Sequence, residues 1–301
     1  MSFDSSDLPG ATGGSFKGRG RQYLRLLACP IEGAPLAQEA GVAICGDDRV
    51  HHYPFEDGIL RLADTAQRAA LDAISDEHEA RAARDGWRSP DEDAFKSLPQ
   101  TGLSGYPENY WSQYAAATAL LWRYLEAVRA QNGALPVGPV GEAAVIGAGM
   151  GWLAYALDVA GYATVAIDAL AGPRYGLGVF PIARFLRVQA DPVRPPLAPG
   201  MYDVVLYQEG LARSGRETDE VTALAQGVAA LKPRGVLAVM NAFADTLEQV
   251  ETVQARLLDA GLTLMDLPPR LNWRARVSER LDQALGRNGT LPPVIVARKG
   301  S

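Results

Sequence analysis

Apolar residues fall into two regimes along this chain: scattered and turn-punctuated in the first part, then regular short runs from about residue 136 onward. The runs AAVIG (143–147), TVAID (164–168), FLRVQ (185–189), YDVVLY (202–207), GVLAVM (235–240), LTLMDL (262–267) and PVIVAR (293–298) have the length of buried strands. Helical patterns lie between most of them, and ETVQARLLDAGL ends at a glycine, where helices commonly stop. Strand and helix in alternation predict an α/β fold with a doubly wound sheet. The ending fits a final antiparallel pair, joined by the long segment PPRLNWRARVSERLDQALGRNGTLP.

The earlier part divides by the same criterion. Residues 1–20 are Gly-, Ser- and Asp-rich with few aliphatic side chains, a composition read as a disordered tail. Residues 21–64 place short apolar runs between Pro and Gly turns and read as a small β-rich unit. Residues 65–135 read as a helical linker or cap, polar at first. Within it, Trp111, Tyr114, Ala115, Thr118, Leu121, Trp122, Leu125 and Val128 fall at helical spacing. That stripe is read as core, with only its beginning, around residues 110–114, facing a ligand. Residues 136–301 form the α/β unit.

Composition narrows the function. The chain has 301 residues, 48% hydrophobic and 21% charged, as a soluble globular protein would. No apolar run approaches the roughly 18 residues of a membrane span, and the start lacks a signal-peptide core. The expectation is a cytoplasmic protein with no membrane partner. A net charge of −6 argues against a nucleic-acid partner. Two cysteines, Cys29 and Cys45, exclude a disulfide framework. Nothing in the sequence bears on oligomeric state.

The candidate chemistry begins at the turn Gly147, Ala148, Gly149, Met150, Gly151, Trp152. A dinucleotide fingerprint wants glycine at its sixth position, where this chain has Trp152. A phosphate-binding P-loop wants Lys followed by Ser or Thr, which is missing. What remains is G-x-G-x-G at a helix start, which suits a small anion such as an amino-acid carboxylate. Asp168 ends the second strand of the unit, about 20 residues on, where a carboxylate accepts ribose hydroxyls. Ala190 and Asp191 follow the third strand, where a polar group meets an adenine amine.

With those residues in order, the chain resembles the class I S-adenosylmethionine-dependent methyltransferases over about residues 136–299. The likeness is carried by VIGAGMGWLAYAL, VAID, VQADPVRPPLAPGMYDVVLYQEG and AALKPRGVLAV, the last reading LKPRG for the family's common LKPGG. It implies a seven-stranded sheet with an antiparallel last strand, and S-adenosylmethionine across the strand ends. Gly147, Ala148, Gly149 and Gly151 would line its methionine part, Asp168 its ribose, and Ala190 and Asp191 its adenine. Val145 stands where many members carry an acid. The resemblance also puts Tyr207, Gln208 and Glu209 beside the transferred methyl: Gln208 on the cofactor side, Tyr207 and Glu209 as catalytic candidates, with Asn241 a weaker one.

Residues 21–64 resemble the short zinc-ribbon domain of some bacterial methyltransferases. Its two C-x-x-C pairs here read Cys29-Pro-Ile-Glu32 and Cys45-Gly-Asp-Asp48, each with an acid in place of its second cysteine. The favoured reading is a ribbon frame without metal, although His51 or His52 offers a replacement ligand.

All three histidines, His51, His52 and His78, precede the α/β unit. The expected reaction is therefore in-line methyl transfer to a small-molecule acceptor without a His base, unless the first part of the chain folds over the site. Substrate choice would come from the cap and from the insertion carrying Arg270, Arg274, Arg276, Arg280, Arg287 and Trp273. Two alternatives stand beside this: RNA base methylation, and a cofactor- or partner-binding pseudoenzyme.

Overall fold

Four short strands come first: β1 (Leu36–Glu39), β2 (Val42–Cys45), β3 (His52–Glu56) and β4 (Ile59–Arg61). Three helices follow, α1 (Thr65–Arg84), α2 (Glu92–Ser97) and α3 (Tyr110–Gln131). Next come β5 (Gly141–Ile146), α4 (Trp152–Val159), β6 (Tyr162–Asp168), β7 (Leu186–Gln189) and β8 (Tyr202–Tyr207). The described chain ends with α5 (Glu217–Ala230), β9 (Leu231–Met240), α6 (Leu247–Asp259), β10 (Leu262–Leu264) and β11 (Val294–Lys299). The structure is a computed structural model and describes residues 23–39, 41–47, 49–131, 140–179, 184–209, 211, 216–240, 247–266 and 294–300. The tail, Asn241 and the basic insertion with Trp273 lie outside the described residues.

The eleven strands of the described residues form one mixed sheet in the order β1-β2-β3-β4-β7-β6-β5-β8-β9-β11-β10. From β4 to β9 the neighbours are parallel. β11 is antiparallel to both β9 and β10, in keeping with the antiparallel last strand that was expected. Seven strands, β5–β11, fall within residues 136–301, and the four of residues 21–64 extend the same sheet to eleven among the described residues. The cause is β4, which lies parallel to β7 with Leu60 opposite Val188 and so carries β1–β3 onto the sheet edge. A four-stranded unit this small buries its apolar face by joining a larger sheet, and covering β7 also removes an exposed edge.

Side chains alternate across this sheet and bury both faces. Ala143, Val145, Val204, Leu206, Val236 and Ala238 face the layer containing α3 and α4. Ala144, Ile146, Val205, Tyr207, Leu237 and Val239 face the layer containing α5 and α6. No described helix is long and apolar enough to cross a membrane.

Candidate active site

The sheet reverses its winding at β5, which has β6 on one side and β8 on the other. In an open α/β sheet, the crevice beyond the carboxyl ends at such a switch point is where ligands sit. Registers bring those ends level, with Ile146 opposite both Ile167 and Tyr207, and Asp168 opposite Gln189. The residues that follow each strand therefore share one edge.

The glycine loop crosses that edge, and Gly147, Gly149 and Gly151 all have positive φ, at 68°, 54° and 84°. Gly151 is the N-cap of α4, and a β-carbon there would lie 3.0 Å from the Phe185 ring. Any other residue would meet both backbone strain and a wall. Around Gly149, by contrast, a β-carbon would meet nothing within 4 Å, so the loop is open on its ligand side.

Asp168 is fully buried under the loop. Its Oδ2 accepts the Gly149 N–H at 2.7 Å and its Oδ1 the Leu170 N–H at 3.0 Å. In this structure the carboxylate expected to face a ribose is the brace that shapes the loop. Ala190 is buried and donates its N–H to the Asp168 carbonyl at 3.1 Å. Asp191 Oδ1 accepts the Val193 N–H at 2.9 Å, which fixes the turn after β7.

Beyond β8 the three expected residues separate. Gln208 donates its backbone N–H to the Ile146 carbonyl at 2.9 Å, and its side chain, 2% exposed, lines a cavity. Its Oε1 has no hydrogen-bond partner among the described residues, a costly state for a buried acceptor. Glu209 lines the same cavity, with Oε1 accepting the Tyr114 hydroxyl at 3.1 Å. Tyr207 does not line it. It packs on the opposite face of the sheet, where its hydroxyl donates to the Ala223 carbonyl and lies against Gly227 of α5. Strand alternation gives the reason: Leu206 and Gln208 point to the cavity face, so Tyr207 points away. Burial pushes its phenol far above the usual range. Its catalytic candidacy is therefore withdrawn.

The cavity holds about 230 Å³. From the sheet edge it is lined by Gly149, Met150, Trp152, Leu170, Gln208 and Glu209. The other walls are His78 and Arg81 of α1, with Trp87, Tyr106, Tyr110 and Tyr175. As expected, the start of α3 contributes a ring through Tyr110. Unexpectedly, α1 brings a histidine to the site, so the condition that would admit one is met. Of the two thirds of α1 that follow Leu71, the buried positions are Ser75, Glu79 and Ala82. Ser75 Oγ accepts the Ala171 N–H at 3.0 Å, and Glu79 accepts the backbone N–H groups of Arg174 at 3.1 Å and Tyr175 at 2.8 Å. A polar stripe thereby fastens the helix to the loop after β6.

Away from the cavity, ligand atoms of Cys29, Cys45 and His51 lie within 4.8 Å of one another. Both thiols are buried, and Cys29 Sγ meets the Tyr53 hydroxyl at 3.0 Å and the Glu32 N–H at 3.4 Å. This is one donor short of a closed four-ligand zinc site among the described residues.

No family model and no curated protein matches the sequence. Among solved structures, similarity is found to the Burkholderia thailandensis 1,6-didemethyltoxoflavin-N1-methyltransferase bound to 1,6-didemethyltoxoflavin and S-adenosylhomocysteine. Identity there is 18%, the match covers 85% of this chain and 98% of that one, and the TM-score is 0.43. An S-adenosylmethionine-dependent methyltransferase from Mesorhizobium loti is 17% identical over 59% of this chain and 98% of its own, with a TM-score of 0.39. A Haloferax volcanii complex of the Trm112 methyltransferase activator with its putative methyltransferase gives 17%, 70% and 99%, and 0.40. At these levels of similarity, a functional reading rests on the geometry of the site itself.

Proposed function

We propose that this chain is an S-adenosylmethionine-dependent methyltransferase with a small-molecule acceptor. One observation carries the reading: the open glycine loop, its brace Asp168 and a Gln208 Oε1 without a partner among the described residues meet at the switch point of the sheet. The residues fit the cofactor's chemistry. The amides of the first turn of α4, which have no intrahelical acceptor, suit a carboxylate, and a buried acceptor on Gln208 suits an ammonium. Those are the two ends of an amino acid. Asp168, Ala190 and Asp191, in order along the next two strand ends, would serve the ribose and adenine. Residues 136–301 would then be the catalytic unit, and residues 65–135 its cap.

When bound, the cofactor's sulfonium supplies a methyl group open to in-line displacement. The chain's part is placement, exclusion of water and handling of a proton. Trp87, Tyr106 and Tyr110 line the cavity with rings. Glu209 is the carboxylate able to receive a proton there, with Tyr114 fixing one of its oxygens. The test is to incubate the protein with methyl-labelled cofactor and a cell extract, then separate small molecules from RNA. Label among the small molecules is expected. Label in RNA would favour the base-methylation alternative, and cofactor binding without label the pseudoenzyme.

A further inference from the structure

A row of rings crosses the cavity wall. His78 meets Trp87 edge-on at 5.8 Å, Trp87 meets Tyr106 at 4.4 Å, Tyr106 meets Tyr110 at 5.2 Å and Tyr110 meets Tyr114 at 5.0 Å. The row ends where the Tyr114 hydroxyl donates to Glu209. Its two ends differ in charge. At the Glu209 end stands a carboxylate fixed by a phenol. At the other, Arg81 approaches His78 Nδ1 at 3.5 Å. A guanidinium only donates, so Nδ1 is the acceptor and a neutral His78 carries its proton on Nε2, where it too is a donor.

A ligand matching this wall has a flat ring to stack on aromatic faces, a hydrogen to give to Glu209, and anionic oxygen to receive from Arg81 and His78. A cavity of about 230 Å³ suits a small, flat ligand. On the methyl-transfer reading, we infer that the acceptor is a small aromatic acid. It would be a planar ring with a methyl-accepting O–H or N–H directed to Glu209 and an anionic oxygen group directed to Arg81 and His78. In the transfer, the acceptor oxygen or nitrogen bonds to the methyl carbon as the sulfur–carbon bond breaks. The bonding pair stays on sulfur, and the acceptor's proton passes to the Glu209 carboxylate. Glu209 is then the catalytic residue, while Arg81 and His78 select the substrate by charge.

The test uses the full chain saturated with S-adenosylhomocysteine, with binding followed by calorimetry and by quenching of tryptophan fluorescence. The probes are 4-hydroxybenzoate and anthranilate, each against its neutral methyl ester, with ethanolamine as the aliphatic control. At least one acid is expected to bind more tightly than its ester, and ethanolamine not at all. Arg81 is exposed, so Arg81→Met should leave the fold intact. It should weaken the preferred acid by about three- to fivefold, the range for an ion pair open to solvent, and leave the ester and S-adenosylhomocysteine unchanged. Trp87→Leu should weaken acid and ester together. Equal binding of acids and esters, preference for ethanolamine, or an Arg81→Met variant that still binds the acid like the parent would overturn the inference alone. Failure of S-adenosylhomocysteine to bind would overturn the methyl-transfer reading and this inference with it.

Discussion

The Tyr114 hydroxyl reaches across 95 positions of sequence to donate to Glu209 Oε1 at 3.1 Å. It ties the N-terminal end of α3 to the second residue after β8. A hydrogen bond to an ionised group contributes about 1.5–3 kcal/mol, and here it fixes a carboxylate at the cavity. Tyr114→Phe is expected to slow label transfer by about ten- to a hundredfold while S-adenosylhomocysteine binds as before. Steady-state rates beside calorimetry check this, and an unchanged rate would show that the contact is structural only.

Glu79 supports the cap in a comparable way. Besides the two backbone N–H groups of Arg174 and Tyr175, it accepts the Arg174 Nε–H at 3.2 Å. Tyr175 in turn donates its hydroxyl to the Trp87 carbonyl at 2.8 Å, which reaches the cavity wall. Glu79→Ala would leave those backbone donors unpaired and is expected to lower stability by about 2 kcal/mol. Urea denaturation measures the loss, and limited proteolysis should place new cleavage between residues 65 and 110. A variant cut no faster than the parent would contradict the bracing role.

The placement of Tyr207 is tested by removing one oxygen. Tyr207→Phe deletes the donor to the Ala223 carbonyl and is expected to cost about 1 kcal/mol of stability. Cofactor affinity and transfer rate should stay within twofold of the parent. A large loss of activity in a stable protein would return Tyr207 to the site.

Alkaline pH should unfold the chain through its phenols. Burial raises Tyr202 and Tyr207 well above the usual value of 10.0, and Tyr106 likewise. Between that value and their own raised values, the folded protein holds protons that the unfolded chain has released. The stability they contribute is therefore complete below about pH 10 and falls as pH rises beyond it. Phenolate absorbance from these tyrosines should appear together with loss of circular dichroism. Their ionisation in a still-folded protein would contradict the burial.

Much of this was legible in the sequence, for identifiable reasons. The run 202–207 is β8 to the residue, because its apolar stretch 204–207 is buried on both faces of the sheet. That Gly147, Asp168 and Asp191 stand at or just past strand ends was legible because alternating strands and turns fix order and spacing. The alternation that separates Tyr207 from Gln208 is also present in the sequence, but which face holds the cavity depends on where α3 and α5 pack. α1 was not legible as a packed helix, since its buried face uses Ser75 and Glu79, whose partners are backbone amides of a distant loop. His78, Arg81, Trp87, Tyr106 and Tyr175 were missed for the same reason: no local pattern marks residues gathered from separate segments. The pairing of β4 with β7 likewise joins Leu60 to Val188, a contact without a local signal.

The central claim is that the crevice at the glycine loop takes S-adenosylmethionine. Calorimetric titration of the purified protein with S-adenosylmethionine and, separately, with NADH tests it most directly, with the Asp168→Ala variant run alongside. The account predicts micromolar binding of the first ligand and none of the second. The variant should bind about ten- to a hundredfold more weakly, as expected from losing a charge-assisted hydrogen bond to the Gly149 amide. No binding of S-adenosylmethionine, or affinity untouched by Asp168→Ala, would contradict it.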